Sequence, residues 1–317
     1  MTKPPRSTVA ISVAAAALLS IMPVLPASAS DDDSLASTLA ALPPEFRVNV
    51  GNSESLAAYV ASGDALPVLS NTGETTGVAI RPVDAGASGE ISVLGDGREV
   101  IETRHSTSTV AQRKVDGSVQ IITTIESALS PTEYAYDVEL PEGSHLQTAE
   151  DGSVIALGKN GEFVAGVHAP WAVDANGATV PTHFEIDGTR LTQAVDHGAE
   201  YAYPIVADPW LGAELYGGVG ITNTSEGYVV TTTPTEWGAI HSGVNNLSMW
   251  WAHADEVKGK MPGGYTWTLS LQEQLYCHIA GYPVSANPSY DLESWKPHVR
   301  WEEQIPSKCL GGYSVGS

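Results

Sequence analysis

The sequence predicts a mainly β N-terminal domain, an antiparallel sandwich or small barrel, followed by a small α+β C-terminal domain. Residues 66–210 alternate apolar and polar side chains with a period of two, whereas residues 214–317 add helical periodicity to two short strands. Asn and Asp tolerate left-handed backbone angles and Gly adopts them freely, so Asx-Gly pairs favour tight hairpin turns. Six such pairs punctuate the β region: Asp96-Gly97, Asp116-Gly117, Asp151-Gly152, Asn160-Gly161, Asn176-Gly177 and Asp187-Gly188.

Residues 1–29 have the pattern of a secretory signal peptide. Two basic residues precede an apolar run over residues 8–25, and Ala27-Ser28-Ala29 follows it as a small-residue cleavage signature. We therefore predict cleavage between Ala29 and Ser30. A retained membrane anchor is the alternative, although the run is near the short limit for a bilayer span. The expected product is secreted and extracellular, with no membrane attachment after cleavage.

Residues 30–65 predict an acidic leader that is partly disordered, with one short helix ending before Pro43-Pro44. A second short helix is expected over Glu54–Ala61, ended by Gly63.

The charge balance excludes two classes of partner. The chain has 15 basic and 37 acidic residues, a net charge of −22. Nucleic-acid phosphates and anionic lipid repel such a chain, so neither is an expected partner. Solubility outside the cell explains the charge, and a specific cationic partner is the alternative reading.

The C-terminal region predicts two strands and two helices. Residues 221–233 form the strands, Asn246 caps a helix that runs to about Lys258, and a second helix spans 271–280. Ser270 and Glu273 have the spacing of a capping box at the start of that second helix.

The two cysteines, Cys277 and Cys309, predict one disulfide, because a small even number of cysteines in an oxidising compartment normally pairs. A catalytic or metal-binding thiol is the alternative.

The segments QLYCH (274–278) and NPSYDLESWKPHVRW (287–301), followed by Cys309, carry a resemblance to a known family. They resemble a C-terminal domain of unknown function in secreted actinobacterial proteins. That family pairs a Gln-x-x-Cys-His helix with an Asn/Asp-Leu-Glu-x-Trp-Arg/Lys-Pro stretch and a late Cys. The resemblance implies export, a two-part organisation and the disulfide, and it implies no reaction.

Several catalytic signatures are missing from the sequence. It contains no Gly-x-Ser-x-Gly, His-Glu-x-x-His or phosphate-binding Gly-Lys-Ser/Thr pattern, so we expect no cofactor and no metal site. His278 with Glu273 or Glu293 is the candidate acid–base group of a hydrolase.

Tryptophans supply the remaining signal, because exposed aromatic rings stack on sugars and anchor protein partners. Four of them form the candidate contact surface: Trp250, Trp251, Trp295 and Trp301.

Together these features predict a secreted, non-catalytic binding protein whose partner is cell-wall glycan or another extracellular protein. The alternatives are an extracellular hydrolase of cell-wall or carbohydrate material and a secreted antagonistic effector with a variable C-terminal domain.

Overall fold

A computed structural model of the chain describes residues 31–42, 47, 53–83, 90–242, 249–281 and 289–309. The fold is mostly antiparallel β, 39% strand and 20% helix, with most of the helices near the C-terminus, which confirms the predicted fold class. The predicted signal peptide and its cleavage point at Ala29 and Ser30 lie outside the described residues. In the described ranges, no helix has the length and apolarity that crossing a bilayer requires.

The strands of the described chain are β1 (Ser53–Ser55), β2 (Leu66–Leu69), β3 (Thr75–Pro82), β4 (Ile91–Val93), β5 (Glu99–Thr103), β6 (Thr107–Lys114), β7 (Val119–Ile125), β8 (Glu133–Glu139), β9 (His145–Thr148), β10 (Val154–Leu157), β11 (Phe163–Val167), β12 (Ala172–Val173), β13 (Thr182–Asp187), β14 (Arg190–Val195), β15 (Ile205–Ala207), β16 (Trp210–Gly212), β17 (Tyr216–Asn223), β18 (Tyr228–Pro234) and β19 (Tyr290–Glu293). The helices are α1 (Asp31–Ala41), α2 (Ala57–Ser62), α3 (Glu236–Ile240), α4 (Trp250–Lys260), α5 (Leu269–Gly281) and α6 (Trp301–Gln304), and a 3₁₀ turn (Ile305–Ser307) follows α6.

Two of the three sheets form a sandwich. The first sheet has the strand order β4-β5-β6-β7-β16-β11-β10-β9, with β1, β12 and β15 attached, and the second has the order β13-β14-β8-β3-β2. Aliphatic side chains of both sheets share one core, in which Ala111 and Ile121 of the first sheet meet Ile80 and Val138 of the second. Each sheet therefore turns one side of its period-two pattern inward.

The Asx-Gly turns are confirmed. All six glycines have a positive φ, between 63° and 90°. Gly117 also has a steric reason to be glycine, because a Cβ there would lie 2.1 Å from the carbonyl oxygen of Leu69. The turn between β6 and β7 therefore needs both the conformational freedom and the small size of glycine.

The leader contributes two helices. Helix α1 is the short helix predicted ahead of Pro43-Pro44, and its Leu35 and Leu39 belong to a core with Val110 and Ile122 on the outward face of the first sheet. The second predicted helix is present as α2 and ends at Gly63 as predicted, but it begins at Ala57 and not at Glu54, which lies in β1. There it pairs with Arg113 of β6, and the strand pairing outweighs the local helix signal.

The third sheet, β17-β18-β19, and helices α3 to α5 form the C-terminal unit. Its core contains Tyr216, Leu275 and Tyr290, and the same core includes Ile155 and Trp210 of the first sheet. The two units therefore share buried apolar surface. Strand β16, which lies between β7 and β11, extends to Gly212, two residues beyond the predicted end of the β domain.

Trp237 joins the two units. Its buried indole lies against the backbone of Gly212 and Gly166, where an added Cβ would come within 2.4 Å and 3.0 Å of the ring. Its backbone N–H donates to Asp116 Oδ2 at 2.8 Å, in the β6–β7 turn. These contacts fix α3 on the outward face of the first sheet.

The start of α5 differs from the predicted capping box. Thr268 Oγ1 accepts a hydrogen bond from Leu271 N–H at 3.2 Å, so Thr268 performs the capping role. Ser270 instead donates to the carbonyl oxygen of Lys296 at 2.9 Å, and Glu273 accepts from Trp301 N–H at 2.8 Å. Tertiary partners thus take both side chains away from the local motif.

We predict that Gly212→Ala lowers the free energy of unfolding by about 1–3 kcal/mol, because the new methyl group overlaps the Trp237 ring. Urea denaturation measures the change. Gly218→Ala in β17 is the matched control, since nothing lies within 4 Å of its added Cβ, and it should leave stability nearly unchanged. Equal stability of the two variants would contradict the packing described for Trp237.

Candidate functional site

A groove runs along the seam where α4 lies beside strands β9 to β11. It consists of two adjoining clefts of about 370 Å³ and 260 Å³. They adjoin because Leu157 and Phe163 are paired across the β10–β11 hairpin, while Trp251 and Ala252 are consecutive in α4. We call this the junction groove, lined by Gln147, Thr148, Ala149, Glu150, Ile155, Leu157, Glu162, Phe163, Ala213, Glu214, Trp251, Ala252, Asp255, Glu256 and Lys260.

A network of charged hydrogen bonds forms the floor of the junction groove at its Lys260 end. Glu256 accepts from the backbone N–H groups of Leu215 at 2.8 Å and Tyr216 at 3.0 Å. Lys260 forms ion pairs with Glu256 at 2.8 Å and Glu214 at 3.1 Å, and it donates to the carbonyl oxygen of Tyr216. The segment that joins the two units is thereby tied to α4.

The pKa values in this network follow from burial and pairing. Burial raises the pKa of Glu256, and the Lys260 ammonium only partly opposes that rise. Burial alone would lower the pKa of Lys260, but the two carboxylates hold it above its usual range. The single lysine of the groove is therefore charged and fully engaged at neutral pH.

The rest of the groove carries unbalanced negative charge. Glu150, Glu162 and Asp255 are exposed, and none of them forms an ion pair with another described residue. Glu162 accepts a hydrogen bond from Asn160 N–H at 3.0 Å, which directs its carboxylate without neutralising it. The groove consequently favours a cationic ligand.

Aromatic side chains give the groove an apolar wall. Trp251 is half-buried at the β9 end, and Phe163 is half-buried near the Lys260 end, where its ring stacks on Trp237 at 6.1 Å. Carboxylates beside aromatic faces match a side chain that has an apolar stem and a cationic end.

The other predicted tryptophans lie elsewhere. Trp250 is only 5% exposed and packs against Tyr276 and Trp301, with ring centroids at 5.2 Å and 4.9 Å. Trp301 is half-buried at the start of α6, and Trp295 is half-buried beside Gly227 at the β17–β18 turn. The four tryptophans therefore do not form one surface, and Trp251 is the member that lines the groove.

The three candidate hydrolase groups are engaged in separate interactions. Glu273 accepts from the backbone of Trp301, and Glu293 forms an ion pair with Lys296. His278 is 6% exposed and stacks on Tyr290, with centroids 4.9 Å apart. Within the described residues, no hydrogen bond or ion pair joins His278 to either glutamate.

The motif residues of the C-terminal resemblance hold α5 against β19. Gln274 accepts from Glu293 N–H at 2.8 Å and donates to the Glu293 carbonyl oxygen at 3.0 Å. Cys277 and Cys309 form the predicted disulfide, so neither of them is a free thiolate. The motif therefore has a structural explanation in helix–strand packing.

Buried neutral histidines surround the junction. His253 Nδ1 lies 2.9 Å from the Tyr216 hydroxyl, and burial lowers its pKa to about 4. Burial also lowers the pKa of His278 to about 4 and that of His241 well below its ordinary value. Among the described residues, no group of three or more His, Cys, Asp or Glu side chains is arranged to hold a metal ion.

Comparison with known proteins identifies one region. Residues 220–312 match a family model described as a protein of unknown function (DUF2599). No curated protein matches the chain, and no solved structure matches it. The matched region includes α4 with Trp251 and Asp255, while the sandwich supplies the opposite wall of the junction groove.

The sequence pointed to only one residue of this groove. Trp251 is one of the four tryptophans that the sequence predicts as a contact surface. Glu150 and Asp255 are about a hundred positions apart and share no local pattern. They line the same seam only because α4 packs against the sandwich.

We predict that the buried histidines lower the free energy of unfolding as the pH falls, whereas the buried carboxyls of Asp208 and Glu256, whose pKa values are raised, contribute with the opposite sign. An unfolded histidine titrates near 6.5, so the unfolded chain binds more protons than the folded one between about pH 6.5 and pH 4. Each of His253 and His278 should therefore remove about 2 kcal/mol from the free energy of unfolding between pH 7.5 and pH 5. Urea denaturation at several pH values measures this slope.

His278→Phe keeps an aromatic ring stacked on Tyr290. It should reduce the dependence of the free energy of unfolding on pH by the contribution of one histidine. The control is Thr222→Val, at an exposed position of β17 that carries no titratable group, and it should leave the slope unchanged. An unaltered slope in His278→Phe would count against a buried, neutral His278.

Proposed function

We propose that the chain is a secreted, non-catalytic binding protein that captures a basic segment of another extracellular protein in the junction groove. The observation that carries this proposal is a set of exposed carboxylates along the groove, Glu150, Glu162 and Asp255, none of which forms an ion pair with another described residue, together with the half-buried ring of Trp251. Export is supported by the signal-like residues 1–29 and by the disulfide, which persists in oxidising compartments.

The groove chemistry favours a peptide over an anionic glycan. The chain carries a net charge of −22, and the groove repeats that sign locally, so a basic partner is attracted over a distance and then held at short range. A lysine or arginine stem can lie on Trp251 while its charged end reaches Glu150. Alternating basic and apolar residues would use both walls of the groove.

The hydrolase alternative gains no support from the contacts of its candidate groups. His278 is buried with a low pKa, and Glu273 and Glu293 are each engaged with other partners. An acid–base pair needs both groups within reach of one substrate proton.

The direct test is fluorescence anisotropy of the protein beginning at Ser30 with a labelled nonapeptide of alternating Lys and Val. We expect saturable binding that weakens as salt increases, because the attraction is between charges. The same peptide with Glu in place of Lys should not bind. Equal binding of both peptides, or of neither at about 1 mM, would overturn the proposal.

Two groove variants locate the site. We predict that Glu150→Gln combined with Asp255→Asn lowers the affinity for the Lys-Val peptide by about tenfold, and that Trp251→Ala lowers it by a similar factor. Glu74→Gln combined with Glu226→Gln removes the same charge from exposed residues outside the groove and should preserve affinity. If the two charge variants lose affinity equally, net charge rather than the groove attracts the peptide.

A neutral glycan is the competing ligand. If a chitin or cellulose oligosaccharide quenches tryptophan fluorescence in the intact protein and in the double carboxylate variant alike, the partner is a sugar and the proposal of a basic segment is wrong.

A further inference from the structure

We infer a second binding site, for a single sugar-acid residue such as a uronate, in a cavity at one open end of the sandwich. The cavity has a volume of about 160 Å³ and lies between the β5–β6 hairpin of the first sheet and β8 of the second. It shares no lining residue with the junction groove, so this inference stands apart from the proposed function.

At this end of the sandwich, the inward-facing side chains change from aliphatic to hydroxyl-bearing. Along β6 the inward positions are Thr107, Thr109 and then Ala111 of the aliphatic core, and along β7 Thr123 follows Ile121. Thr107, Thr109 and Thr123 are 8%, 3% and 5% exposed. Hydroxyl groups at core positions cost stability, so their concentration around one cavity indicates a use for them.

The hydroxyl groups are partly paired and keep capacity for a ligand. Tyr136 OH lies 2.9 Å from Thr123 Oγ1, and Thr103 Oγ1 lies 2.6 Å from Thr107 Oγ1. Each hydroxyl has one proton and two lone pairs, so each pair retains acceptor sites. Thr109 lines the cavity, and its hydroxyl has no partner among the described residues.

The mouth of the cavity carries charges of both signs. Arg104, at the tip of the β5–β6 hairpin, and Glu133, at the start of β8, both line the cavity and are exposed, and neither forms an ion pair with another described residue. Arg104 is the group that can bind a carboxylate, and Glu133 can accept hydrogen bonds from sugar hydroxyl groups. The two residues after Arg104, His105 and Ser106, have φ values of 62° and 56° without being glycine, which costs of the order of 1 kcal/mol each. The Ser106 carbonyl oxygen accepts from Ser130 Oγ at 2.9 Å, which anchors the tip to the neighbouring loop.

These features select the ligand class. A guanidinium binds a carboxylate through two parallel hydrogen bonds, and the threonine and tyrosine hydroxyls match the hydroxyl groups of a sugar ring. The face of Tyr134 beside Pro82 and Pro131 offers an apolar surface to the C–H groups of such a ring. The volume is below that of most drug-sized sites, which limits the ligand to one ring or one chain-terminal residue.

The test is isothermal titration of the protein beginning at Ser30 with glucuronate and galacturonate, alongside glucose and acetate. We expect at least one uronate to bind in the low millimolar range or more tightly, and glucose and acetate to bind at least about tenfold more weakly. If glucose bound as tightly as the uronates, Arg104 would not contribute to binding. If acetate bound as tightly as the uronates, the hydroxyl groups of the cavity would not contribute. Failure of every ligand to saturate at about 50 mM would overturn the site itself.

Two variants separate binding from folding. Arg104→Gln should weaken uronate binding about tenfold, and Arg300→Gln, at another exposed arginine, should leave it unchanged. Thr109→Val should weaken binding without lowering the unfolding midpoint, because a methyl group of similar size replaces a hydroxyl that lines the cavity. Unchanged binding in both Arg104→Gln and Thr109→Val would contradict the inference. The Lys-Val peptide affinity serves as an independent readout, since neither variant touches the junction groove.

Discussion

The contact between Trp237 and the backbones of Gly166 and Gly212 is the constraint on which the arrangement of this protein depends. A large ring can lie flat on a sheet only where the sheet has no side chains, and two glycines on neighbouring strands provide that space. The Asp116 carboxylate then fixes the start of α3 by accepting from the Trp237 N–H. The turn, the sheet and the C-terminal unit are thereby tied at one point.

The junction groove is a consequence of this attachment. Once α3 is fixed on the sheet, α4 lies beside β9 to β11, and the Glu256–Lys260 pair secures the connecting segment beneath it. The exposed carboxylates come from both units, so neither unit has the groove alone. Residues 220–312, the region that matches a family of unknown function, contribute α4 to one wall of this groove, and the sandwich contributes the other wall.

Local chemistry made part of this fold predictable from the sequence. The Asx-Gly turns follow from the backbone angles of two adjacent residues, and the Cys277–Cys309 bridge follows from the number of cysteines and the predicted export of the chain. Predictions failed where a distant group replaced a local hydrogen-bond partner. Ser270, for example, donates its hydroxyl hydrogen bond to the carbonyl oxygen of Lys296 and does not cap α5. The groove was beyond sequence reasoning for the same reason, since its two walls come from units that are about a hundred residues apart in the sequence.

The central claim is that the sandwich and the C-terminal unit form one cooperative structure through a shared core. Hydrogen exchange of the intact protein in low denaturant, read out by mass spectrometry of its peptides, tests it most directly. We expect the amides of β7 and of α5 to exchange through openings with the same free energy and the same denaturant dependence, because the units unfold together. Opening of α5 at a much lower free energy, with β7 still protected, would show two independent units and contradict the account.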